Sequence, residues 1–294
     1  MASDRTATLF MRTGALLACL ALTPSASANI FGPDDRRLIA TDDNLSAVGL
    51  IVCDDTTRRP TATLIKTNGS GDSQIIISVA HAFLSRQNKP LAPCAFWPQG
   101  RPQDATPIAF TLLGTGEPIG NWNDDWAVAL LARPLPARYQ ALETLTLSGT
   151  DANEARASGA RFSLAGHNGE SGPMMVSTDC GPMRKINADI NRFDERAYNH
   201  DCDMMPGWSG GPLMLERDGK RYVIAVNATE LNALVTRAGE TYDGAYNANT
   251  AVRIDGAFLD AITRLARDPH FARTGPGPAT CRIHMPAPIE SRRC

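Results

Sequence analysis

Between residues 47 and 228 the chain consists of short apolar or alternating runs cut apart by turn residues. Such runs pair readily as antiparallel strands, and they are too short for a helical core. The first series is Ala47 to Val52, Thr61 to Lys66, Gln74 to Ala80, Ile108 to Leu113 and Trp126 to Leu131. Clusters such as Thr67-Asn68-Gly69-Ser70-Gly71-Asp72 separate them. The second series is Arg161 to Ala165, Met174 to Ser177, Leu213 to Glu216 and Tyr222 to Ala228, with Asp218-Gly219 as the hairpin turn between the last two. Pro134, Pro136 and a polar stretch to Ser158 divide the two series. The expected fold is all-β: two antiparallel six-stranded barrels, residues 29–135 and 159–254, joined by a linker over 136–158.

One helix is expected over 255–268. Ile254, Phe258, Ile262 and Leu265 recur at helical spacing, Asp255 stands at the cap position, and Asp268-Pro269 ends it. Its apolar face is expected to pack on the second barrel. Residues 269–294 form a tail rich in Pro and Gly.

The start of the chain has the form of an export signal over residues 1–28. Arg5 and Arg12 precede the apolar run Ala15 to Leu22, and Ala26-Ser27-Ala28 is a small-x-small cleavage site. The run is too short to cross a bilayer, and no later stretch is longer, so no stable membrane insertion is expected after cleavage. Cleavage would leave Asn29 as the first residue, in a bacterial protein that is secreted or periplasmic. The net charge is −2 and no dense Lys/Arg block occurs, which argues against nucleic acid as a partner. Cys19 falls within the signal, and lipid attachment there fits poorly because of Leu17. Six cysteines remain: Cys53, Cys94, Cys180, Cys202, Cys281 and Cys294. An even number in an exported chain points to disulfides, and none has zinc-knuckle spacing, so no metal or other cofactor is expected.

Chemistry concentrates in Pro206-Gly207-Trp208-Ser209-Gly210-Gly211-Pro212. A Ser among glycines between prolines is a poor strand and a worse helix; it reads as a tight, exposed turn around a nucleophile. His81 closes the run Ile75 to Ala80, and Asp125 opens the run Trp126 to Leu131. Each of the three is weak alone: a lone His is usually structural, and Asp125 could be a solvated turn residue beside Asn123 and Asp124. In the order His, Asp, Ser, each at the edge of a β element, they form a stronger signal. The string Gly207-Trp208-Ser209-Gly210-Gly211 also fits the nucleophile elbow of α/β-hydrolases, but Pro212 and a hairpin follow it where that fold needs a helix.

Ser78-Val79-Ala80-His81, Asp125-Trp126-Ala127-Val128-Ala129-Leu130-Leu131 and Gly207-Trp208-Ser209-Gly210-Gly211-Pro212 together resemble the chymotrypsin-fold serine proteases over residues 35–268. A narrower resemblance to bacterial glutamyl endopeptidases rests on Phe31 to Arg36, Asp201-Cys202-Asp203 and Asn249 to Ile254. The resemblance implies a serine endopeptidase acting on polypeptides through an acyl-enzyme, with no cofactor and a monomer as the working unit. Ser209 would be the nucleophile, His81 the base and Asp125 its partner, with Asp124 the runner-up. The N–H groups of Gly207 and Ser209 would form the oxyanion hole. It also implies the pairings Cys53–Cys94 and Cys180–Cys202, with Cys281–Cys294 closing the tail. The alternative is a protease-like binding module without turnover.

Two departures from the family bear on function. Trp208 stands where zymogen-type members carry an Asp, so activation by a new N-terminus pairing with that acid is not expected. For the residue before the cut, Asp203 suggests a basic side chain and the narrower resemblance an acidic one. Asn227 replaces the His that glutamyl members use. Basic, acidic and neither therefore stay open. His167 is expected in a turn, His200 as structural, and Met204 and Met205 as pocket wall or core. Asn68-Gly69-Ser70 and Asn227-Ala228-Thr229 match glycosylation acceptors of little weight in a bacterial protein.

Overall fold

A computed structural model describes residues 29–40, 44–67, 74–114, 124–169, 172–183, 196–229 and 248–267, together with the backbone of 279–282. The expected signal segment, the Asn68 acceptor and Cys294 lie outside these. No helix among the described residues is long and apolar enough to cross a membrane.

The chain opens on a two-residue strand, β1 (Arg37–Leu38), and then builds a closed ring. The ring strands are β2 (Val48–Cys53), β3 (Thr61–Leu64), β4 (Ile75–Ser78), β5 (Cys94–Pro98), β6 (Thr106–Leu113) and β7 (Ala127–Leu131). Their order is β6-β5-β2-β3-β4-β7, and β7 pairs back onto β6. Closure leaves no free edge among these six strands. Cys53 and Cys94 face each other in the β2–β5 register and are bonded.

The second sheet contains β8 (Glu143–Thr144), β9 (Arg161–His167), β10 (Met174–Cys180), β11 (Pro182–Met183), β12 (Ala197–His200), β13 (Pro212–Arg217), β14 (Lys220–Thr229) and β15 (Asn249–Arg253). Its path is β1-β10-β9-β13-β14-β15-β12-β11, with β8 parallel to β14. This path is partly barrel-like and carries short extra strands at its ends. β10 and β11 do not pair; the circuit returns to β10 through the covalent link of Gly181, beside the Cys180–Cys202 disulfide. Between the sheets α1 (Gly149–Ala157) occupies part of the expected linker, and Ser148 caps it by accepting from Asp151 N–H at 3.0 Å.

The ends of the chain cross over. Residues before the first ring belong with the second sheet: Asn29 bridges Met204, and β1 pairs with β10. The terminal helix α2 (Gly256–Arg267) packs on β4 and β7 of the first ring, not on the second barrel as expected. Asp255 starts it through its carbonyl, which accepts from Phe258 and Leu259 N–H, while its side chain turns to Arg253. After it, β16 (Ala279–Arg282) runs parallel to β6. The covering helix explains why β4 and β7 are buried at every position: their inner face fills the barrel and their outer face meets α2. Phe258 stacks on Trp126 with ring centroids 5.2 Å apart, and both are buried. Phe258→Ala is expected to cost about 3–5 kcal/mol in urea unfolding, because the cavity opens under a packed ring pair.

Candidate active site

β4 and β7 are antiparallel neighbours with Ser78 opposite Ala127. The exit of one therefore lies beside the start of the other. His81, three residues past Ser78, and Asp125, two before Ala127, come together by that register alone. Asp125 is fully buried and holds His81 twice. Oδ1 accepts from the His81 backbone N–H at 3.0 Å, and Oδ2 lies 2.7 Å from the ring Nδ1. A carboxylate only accepts, so the proton sits on Nδ1 and Nε2 carries the free lone pair. The His81 side chain is 22% exposed, against 0% for Asp125. Asp124, the sequence runner-up, instead pairs with Arg196 at 2.7 Å.

Ser209 lies on the loop between β12 and β13, half-buried. No hydrogen bond joins His81 Nε2 to Ser209 Oγ; catalytic contacts of this kind commonly tighten only on substrate. The loop is nonetheless stitched to the His81 side of the molecule. Thr61, which opens β3, donates its N–H to Ser209 C=O at 2.8 Å and its hydroxyl to Gly207 C=O at 2.7 Å. Ser78 Oγ donates to Thr61 C=O at 2.7 Å. Sequence reading missed Thr61 because a Thr opening a strand carries no signal of its own.

Two glycines make this approach possible. Gly207 has φ +104°, and a Cβ there would lie 2.6 Å from His167 O. Gly210 has φ +83°, and a Cβ would lie 2.1 Å from both Ser78 Oγ and Thr61 O. Gly210→Ala is expected to destabilise the fold by on the order of 3 kcal/mol, since it adds left-handed strain to a backbone clash. Its unfolding midpoint checks this.

Peptide planarity sets the direction of the two candidate oxyanion donors. Pro206 C=O accepts from Gly169 N–H at 2.9 Å. Trp208 C=O accepts from Gly211 N–H at 2.9 Å and from Asn227 Nδ2 at 3.0 Å. In a trans peptide C=O and N–H point opposite ways. The N–H groups of Gly207 and Ser209 therefore face away from these anchors, and neither is used by another described residue.

The two residues offered for substrate selection are engaged elsewhere. Asp203 is buried, and its carboxylate accepts from Phe31 N–H at 2.7 Å and Asp35 N–H at 3.0 Å. It anchors the N-terminal segment rather than facing a cleft. Burial pushes its pKa up, against the lowering effect of those two donors. Asn227 is fully buried beneath the Ser209 loop, which also removes its acceptor motif from any glycosylating surface. Trp208 is buried with Met204 and both cysteines of the second disulfide. Its indole takes the room that Gly166 leaves, where a Cβ would lie 2.4 Å from the ring.

His167 is the last residue of β9 and buried, not in the turn expected; its Nδ1 lies 2.7 Å from Gly169 O, and burial lowers its pKa. His200 is fully buried and pushed down to about 4 by desolvation, so it is neutral near pH 7. An unfolded His binds its proton near pH 6.5, so the unfolded chain holds more protons between those values. Stability is expected to fall as pH drops from about 6.5 to about 4, then to stop falling on this account. His200→Gln should flatten that part of a urea-midpoint series. Among the described residues no three His, Cys, Asp or Glu side chains gather as metal ligands.

Solved structures share this arrangement of sheets. A Glu endopeptidase crystallised with MPD superposes with a TM-score of 0.59 over 81% of this chain and 99% of its own, at 13% identity. The fold is that of the chymotrypsin-like serine proteases. The protease Anisep from Arthrobacter nicotinovorans gives 0.53 over 76% of this chain and 96% of its own at 12% identity. The thermostable serine protease AL20 from an extremophilic microorganism gives 0.52 over 77% and 99% at 12% identity. No family model and no curated protein matches the sequence.

Proposed function

We propose that this protein is an exported serine endopeptidase that cleaves polypeptides with Ser209, His81 and Asp125. The observation that carries the reading is the two-point grip of Asp125 on His81, made beside a glycine loop that holds Ser209. A serine hydroxyl is a weak nucleophile at neutral pH. His81 Nε2, left basic by the Nδ1 proton, accepts the Ser209 proton as Oγ attacks the carbonyl. Negative charge develops on the carbonyl oxygen, and the Gly207 and Ser209 N–H groups receive it. The imidazolium then gives its proton to the leaving amine, and water repeats the cycle on the acyl-enzyme. The disulfides Cys53–Cys94 and Cys180–Cys202 fit an oxidising compartment outside the cytoplasm. Since Asp203 and Asn227 are both committed inside the fold, neither supplies a charge that would select the residue before the cut.

The test uses the exported, disulfide-bonded protein, a peptide library and a fluorophosphonate probe. Cleavage together with a probe adduct on Ser209, located by mass spectrometry, is the expected result. An adduct without cleavage would show an active nucleophile awaiting an activation step or a substrate outside the library, whereas neither adduct nor cleavage from the folded protein would favour the binding module and overturn the enzyme reading.

A further inference from the structure

Asn227 is joined to the Ser209 loop by three hydrogen bonds. Its N–H donates to Gly211 C=O at 2.8 Å, its C=O accepts from Gly210 N–H at 2.7 Å, and its side-chain Nδ2 donates to Trp208 C=O at 3.0 Å. The third is the informative one, because that carbonyl belongs to the same peptide unit as the Ser209 N–H. Behind Asn227 stands His200, on the neighbouring part of the sheet. His200 Nε2 lies 3.1 Å from Asn227 Oδ1, and His200 Nδ1 accepts from Cys202 N–H at 3.3 Å.

This network leaves one consistent assignment of protons. A backbone N–H can only donate, so His200 Nδ1 is unprotonated and Nε2 bears the hydrogen. Nε2–H then requires Oδ1 of Asn227 on its side, which turns Nδ2 toward Trp208. Hydrogen bonds thus run head to tail from Cys202 N–H through the imidazole and the Asn227 amide to Trp208 C=O. The next dipole in line is the Ser209 N–H. Both side chains are fully buried, so no water competes for these groups. Aligned hydrogen bonds in a low-dielectric interior polarise one another. The first link is anchored by the Cys180–Cys202 disulfide.

We propose that His200 and Asn227 are positioning residues that fix and polarise the Trp208–Ser209 peptide, so that its N–H is aimed at the oxyanion before substrate arrives. The proposal rests on the serine endopeptidase reading. It assigns Asn227 to the oxyanion side of the site instead of to substrate selection. A packing role alone would affect stability. The positioning role affects the charge-stabilising power of the site.

The experiment titrates the hemiketal formed by a peptidyl trifluoromethyl ketone on Ser209, followed by 19F and 13C NMR, in wild type and two variants. Asn227→Asp keeps the shape and turns the donor facing Trp208 into an acceptor. His200→Leu breaks the chain one link earlier, and so gives a second reading if the first variant does not fold. In each, the hemiketal hydroxyl is expected to ionise about one pH unit higher than in wild type. kcat should fall about 10- to 100-fold with KM within about twofold. His200→Gln, which retains a donor toward Asn227 Oδ1, should recover most of both. Unchanged ionisation of the hemiketal in folded variants would overturn the positioning role while leaving the protease reading intact. A wild type that forms no hemiketal would overturn both.

Discussion

Ser209→Ala is expected to lower kcat by about 10⁶-fold while leaving KM within about twofold. On the proposed mechanism the change removes the atom that would form the acyl bond, and it leaves the surrounding frame in place. The Ser209 side chain is party to none of the described hydrogen bonds, and its carbonyl remains held by Thr61 N–H at 2.8 Å. Stability should therefore change by no more than about 0.5 kcal/mol. In the variant the backbone N–H groups at both oxyanion positions are retained and still face the developing charge, so a residual rate of about 10³-fold over water is expected. Single-turnover kinetics on an activated ester, with the unfolding midpoint as control, measure both quantities. A loss of kcat smaller than about 10²-fold would show that another nucleophile carries the reaction.

Asp125→Asn is expected to lower kcat by about 10⁴-fold near neutral pH. The geometry dictates why. Asp125 faces two groups, the His81 backbone N–H at 3.0 Å and the ring Nδ1 at 2.7 Å. The backbone N–H can only donate, so an Asn must turn its oxygen toward it. That leaves the amide NH₂ against Nδ1, which must then act as an acceptor. The ring is forced into the tautomer with hydrogen on Nε2, and the lone pair that the proposed mechanism uses as base is lost. The same variant should lose the low-field Nδ1 proton resonance. Asp124→Asn is the matched control. It touches the Arg196 ion pair and not His81, so activity within about twofold of wild type is expected.

The strand content was legible because each run has its own local chemistry. Ile75-Ile76-Ile77 is β-branched and short, and the Asp218-Gly219 turn sets the hairpin between β13 and β14. Strands formed by partnership were not legible. Ala197–His200 and Asn249–Arg253 carry weak patterns, and become strands by pairing with each other and with β14. The helix over 256–267 was evident from its period, yet its docking side was not. An apolar stripe states that something is covered and does not state what; the stacking of Phe258 on Trp126 decided it. The missing alternation in β7 was the available hint, since a strand buried on both faces needs an outer cover.

His81, Asp125 and Ser209 stood out because chemistry restricts which residue types can serve. Their supports were invisible. Thr61 orients the Gly207 and Ser209 carbonyls through contacts spanning about 146 residues of chain, a separation no local pattern records. Asp203 and Asn227 were noticed for their charge and polarity, but their partners could not be read from the sequence. One holds the backbone of Phe31 and Asp35, and the other holds Trp208 C=O. By itself the sequence determined the locally patterned strands, the terminal helix and the Asp218-Gly219 turn, and it offered as expectations the cysteine pairs 53–94 and 180–202 and the three candidate residues His81, Asp125 and Ser209. These depend on intrinsic backbone preference and on functional-group chemistry, both carried by single residues or short windows. Only the tertiary structure decided which way the ends cross, which sheet closes, what α2 covers and which peptide units are aimed at a reacting oxygen. Those outcomes depend on directions and distances between groups far apart in the chain, and they exist only once the sheets have packed.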